Sequence, residues 1–158
     1  MMRALFLVLV TLAAAPSMAD VLPYKATLRA ETTVTPNWAH NGDGLTPDQV
    51  NALVADAKGI ELRFDLSRYV GRNVRIHMVL PPSLKGLRGS TGFRAEWRTR
   101  GRFIPGSIVP GNRTLVFQGV VTAKEMTEIF DFTLHLDGRY FHGGLGFDPV
   151  FEIESIGP

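Results

Sequence analysis

The sequence predicts an all-β fold, an antiparallel β-sandwich of immunoglobulin-like or jelly-roll-like kind carrying one short α-helix. Three observations carry that expectation. At least five segments alternate apolar and polar side chains with the period of two that sends them to opposite faces of a strand. Turn-forming dipeptides fall between those segments. Only one stretch has well-formed signals at a helix terminus, and strands at short spacing with so little helix argue for antiparallel pairing.

Taken in chain order, a weak alternation at Ala26, Leu28 and Ala30 opens the domain. Thr46-Pro47-Asp48-Gln49 then combines an N-cap Thr, a Pro at the first helical position and a Gln that closes a capping box. Leu45 and Val50 stand at the positions of a hydrophobic staple and Gly59 at a helix end, so the spacing predicts a helix over residues 47–57. Ile60-Glu61-Leu62-Arg63-Phe64-Asp65-Leu66 is the clearest strand pattern. Val74, Ile76, Met78 and Leu80 repeat it, with Arg75 and His77 on the other face. Phe93, Ala95 and Trp97 alternate with Arg94, Glu96 and Arg98, which places Trp97 in the core. Leu115 to Val121 is apolar on both faces and reads as a central strand. Thr122-Ala123-Lys124-Glu125 is a second capping box with room for only a turn of helix. Phe130, Phe132, Leu134 and Leu136 then alternate with polar residues, and Phe147, Phe151 and Ile153 alternate with Asp148, Glu152 and Glu154. Pro81-Pro82, Pro105-Gly106, Pro110-Gly111, Asp137-Gly138 and Gly143-Gly144 punctuate the pattern.

The N-terminus has the order of a cleavable signal peptide: Arg3, an apolar run from Ala4 to Ala15 broken only by Thr11, and small residues at Ser17 and Ala19 before Asp20. The run is about a dozen residues, short of the roughly 20 that span a bilayer. Residues 1–19 are therefore expected to be a signal peptide and residues 20–158 a single β-sandwich domain, periplasmic or secreted. Removing 19 of the 158 residues leaves 139, a length that supports its own core. The chain contains no Cys, so neither a disulfide nor a lipid-modified cysteine anchor is expected. The formal net charge of +2 includes Arg3, and no basic tract marks a nucleic-acid or anionic-membrane surface. No later segment has the length and apolarity of a membrane span.

The residues that carry chemistry are dispersed. No G-x-S-x-G elbow is present, and Ser90 in Gly89-Ser90-Thr91-Gly92 reads as a turn. Glu152 and Glu154 share an outward strand face, where acids keep a sheet soluble more often than they form a glycosidase pair. The four histidines, His40, His77, His135 and His142, lack the local spacing of a metal site. His77 and His135 both face outward and would meet only if their strands were neighbours, with His142 or His40 completing a copper or zinc site. Asn41-Gly42-Asp43-Gly44 is a fragment of a calcium-loop pattern without the remaining ligands. Trp38, Tyr140 and Phe141 lie in loops, where exposed aromatics would offer a sugar or small ligand much contact area at little entropic cost.

These observations favour an exported, non-enzymatic protein of the bacterial cell envelope that acts as an interaction or assembly module, with no cofactor. Its partner would be another protein or a second copy of the chain, docking at exposed strand edges. Two alternatives follow from the loop residues: a small-ligand or glycan-binding module using Trp38, Tyr140 and Phe141, and a metal protein using the histidines.

Overall fold

The computed structural model describes residues 19–28 and 36–157. Two antiparallel sheets pack face to face, joined by turns and one short helix, which is the architecture the alternation predicts. In chain order the elements are β1 (Asp20–Val21), β2 (Tyr24–Leu28), β3 (Asn37–Trp38), α1 (Pro47–Val50), β4 (Ala52–Asp65), β5 (Asn73–Val79), β6 (Phe93–Thr99), β7 (Gly106–Ile108), β8 (Arg113–Val120), β9 (Glu125–Asp137) and β10 (Val150–Ser155). A 3-10 turn, Ser67–Tyr69, separates β4 from β5. One sheet runs β1-β10-β5-β8; the other, wider, runs β2-β4-β9-β6-β7, with β3 also paired to β4.

The helix begins where its sequence signals place it and ends much sooner. Thr46 caps α1, its hydroxyl accepting from the Gln49 N–H while the Gln49 side chain accepts from the Thr46 N–H. The expected helix over 47–57 stops at Val50, and residues 52–57 instead open β4. Leu53, Ala55 and Ala57 are buried there while Asp56 and Lys58 are exposed, a strand alternation that helix-favouring alanines disguise. Pairing with β9 along most of its length overrides the propensity. Gly59 does not end a helix. It takes a φ of 69° in a bulge between Ala57 and Ile60, and its N–H donates to Asp131 Oδ1 at 2.7 Å.

Three smaller expectations are also corrected. β8 is an edge strand of the narrower sheet rather than a central one. Part of its outer edge is still covered, because the Ile104 N–H of the 101–104 loop donates to the Val116 carbonyl at 2.7 Å. The second capping box forms no helix: β9 starts at Glu125, directly after a bend. The last strand begins at Val150, so Phe147 reaches the interior from irregular chain. Ala30 lies outside the described residues, and the opening strand at Ala26 and Leu28 is β2.

The core lies between the sheets and mixes large with small side chains. Across the wider sheet, Ala57 of β4 stands opposite Phe132 of β9, which stands opposite the buried Trp97 of β6. The Trp97 indole N–H donates to the Ile104 carbonyl at 3.0 Å. Phe64, Phe103, Phe130 and Phe151 cluster at one end, with Phe64 and Phe151 centroids 4.9 Å apart in an edge-on arrangement. Outward faces carry ion pairs, including Arg113 with Glu152 at 3.0 Å and with Glu154 at 3.5 Å. Pairs this exposed contribute up to about 1 kcal/mol each.

Candidate functional site

A cleft opens on the inward face of the wider sheet, beneath the irregular segment before β10. On β2, Tyr24 and Ala26 stand opposite Phe64 and Leu62 of β4 and share their inward face. Phe64 and Leu62 are buried, yet Ala26 is exposed. Ala57, Leu62, Phe132 and Leu134 form the floor of the resulting space. Leu145 and Phe147 roof it from the irregular segment before β10, and the Phe147 ring lies 5.1 Å from that of Phe132 in an edge-on contact. The cavity measures about 280 Å3.

Its polar groups gather at one point on the rim. The Tyr24 hydroxyl donates to Asp148 Oδ1 at 3.1 Å and to the Pro149 carbonyl at 2.9 Å, tying β2 to the roof segment. Burial raises the Tyr24 pKa well above the usual tyrosine value, and the neighbouring Asp148 carboxylate adds to the shift. The hydroxyl therefore stays a neutral donor. The rest of the roof is held by backbone: Gly146 donates to the Lys85 carbonyl at 3.0 Å and His142 to the Gly86 carbonyl at 2.9 Å. A side chain at Gly86 would collide with the Gly143 carbonyl, so the two loops interlock there.

The aromatics singled out in the sequence do not make a shared surface. Trp38 is 56% exposed, pairs with Leu53 through β3 and lays its ring beside Gly138. Tyr140 lies on the other side of that turn, half-buried against Gly92 and Asp137. Phe141 bridges to Leu87 and packs on the core. Among the described residues no ring contact joins the three. The turn between Trp38 and Tyr140 is fastened by Arg139, which contacts Asp137 at 2.6 Å and Asp48 of α1 at 2.9 Å.

The histidines are equally separate. His77 lies on β5 of the narrower sheet, across from Glu152, and His135 on β9 of the wider one, so the condition for their meeting fails. Burial, aided by the Arg113 guanidinium, holds the His77 pKa below the ordinary histidine value. His135 Nε2 lies 3.5 Å from Glu96 Oε2 without a hydrogen bond. His40 and His142 are exposed in different loops. Among the described residues no group of three His, Asp or Glu side chains is placed to hold a metal ion. No helix there is long and apolar enough to cross a membrane.

Sequence reasoning missed one residue of structural consequence. Glu128 is 1% exposed inside β9, and its carboxylate accepts from the Arg102 N–H at 2.7 Å and the Phe103 N–H at 3.4 Å. It thereby pins the loop that inserts Phe103 among the core rings. The signal was present: Glu128 shares the strand parity of Phe130 and Phe132, which points inward.

Fold and site together define a two-sheet antiparallel sandwich with an apolar cleft at one side. No family model, curated protein or solved structure matches the chain.

Proposed function

We propose that the protein is an exported, non-enzymatic binding protein of the bacterial cell envelope that holds a small apolar molecule between its wider sheet and the irregular segment before β10. The observation behind this reading is the 280 Å3 cleft, walled by Ala57, Leu62, Phe132, Leu134 and Phe147 with a single polar point at Tyr24 and Asp148. Small-molecule sites combine mainly apolar walls with few polar groups in this way. The volume is about twice that of a cavity that takes up benzene, enough for roughly ten non-hydrogen atoms. Binding thus moves from the loop aromatics to the space under the roof segment. Support for export comes from Arg3, the apolar run and Ser17 to Ala19 in the sequence.

The wider reading as an interaction or assembly module draws on β8. Among the described residues no strand pairs with its outer edge beyond Val116, and Val70 and Val120 are exposed at that corner. The cleft is the more specific of the two features.

Titration with naphthalene, followed by methyl NMR, tests the binding reading. The methyl signals of Leu62, Leu134 and Leu145 are expected to shift together and saturate. Absence of saturable shifts at those three residues would overturn it.

A further inference from the structure

Resting on the reading of the cleft as a ligand site, we propose that it selects a neutral apolar alcohol or phenol over a carboxylic acid of the same size. The argument comes from the hydrogen-bonding capacity left at the rim. The Tyr24 proton is committed to Asp148 Oδ1 and the Pro149 carbonyl, so the hydroxyl can offer a ligand only its oxygen lone pairs. The Asp148 carboxylate has two oxygens and room to accept more than one donor. Every other side chain lining the cleft is a hydrocarbon, and none is cationic.

The polar side-chain atoms available to a ligand are therefore all acceptors, one of them charged. A ligand hydroxyl supplies the donor they lack and directs its apolar body over Ala57 and Leu134. A ligand carboxylate brings a second negative charge to Asp148 with no lysine, arginine or histidine on the lining to offset it. An ether fills the same apolar space without supplying a donor.

Three ligands of nearly equal size separate these effects: 1-octanol, 1-methoxyheptane and octanoate, each titrated at neutral pH with the Leu62 and Leu134 methyl signals as readout. Octanol is expected to bind best and the ether more weakly. Octanoate should be about fivefold or more weaker than octanol, the effect of a unit charge pair about 4 Å apart in water. Asp148→Asn keeps an acceptor for Tyr24 but removes the charge, and is expected to bring octanoate close to octanol. Equal binding of octanol and octanoate by the wild type, or an unchanged ratio in Asp148→Asn, would overturn the selectivity while naphthalene still bound. If neither naphthalene nor any of the three ligands moved those methyl groups, the cleft reading and the selectivity would fall together.

Discussion

The layer between the two sheets has two halves built on different terms. Around Phe151, rings from three strands and a loop fill the space: Phe64, Phe103 and Phe130 all lie within 6.4 Å of it, centroid to centroid. Over Ala57, the same layer is left open to about 280 Å3. Two features produce the difference. Small side chains stand on the wider sheet at Ala26 and Ala57, and the roof there is irregular chain rather than a strand. Protein interiors are normally packed to crystal-like density. The open half departs from that density, and the filled half supplies the rigidity that keeps the gap from closing.

Substitutions in the two halves should behave oppositely. The largest effect is expected at the filled half. Phe151→Ala removes a fully buried ring and should cost about 3–5 kcal/mol in urea unfolding. A cost below about 1 kcal/mol would mean that this half is loosely packed too, and the contrast would be lost.

A smaller effect belongs to the tie between the halves. Tyr24 touches Phe151 on one side and lines the cleft on the other, and its hydroxyl bond should be worth about 1 kcal/mol. Because folding raises its pKa, the fold favours the neutral phenol. That contribution is complete below the unfolded-state pKa of about 10 and is lost as pH rises above it. Wild type should therefore lose stability above about pH 10. The gap to Tyr24→Phe should narrow over the same range. Tyr69, whose pKa burial and Asp20 also raise, leaves a residual slope in the variant. A wild-type advantage that stayed constant from neutral to alkaline pH would contradict the role given to the hydroxyl.

The same contrast explains what could be read in the sequence. Strand alternation reports directly on which face is buried, so the segments at Ile60, Val74, Phe93 and Phe130 were legible along with Trp97 as core. The end of α1 was not, because Ala52-Leu53-Val54-Ala55 suits a helix locally and only pairing with β9 decides for a strand. The position of β8 was obscured because a loop, rather than a neighbouring strand, covers part of its outer edge. The cleft left no sequence mark at all. It depends on where the segment before Val150 lands on the wider sheet, which is set by long-range packing. The loop aromatics and histidines carry the right chemistry, yet Trp38 lies beside Gly138 while Tyr140 packs at Gly92, and His77 and His135 lie on different sheets.

Ala57→Leu tests the central claim most directly, because its added carbons project from the cleft floor. With the space free, the variant should gain about 1–2 kcal/mol in stability from the newly buried hydrocarbon. It should also lose the saturable naphthalene shifts at Leu62 and Leu134. Destabilisation by overpacking, or naphthalene binding at wild-type strength, would contradict the account.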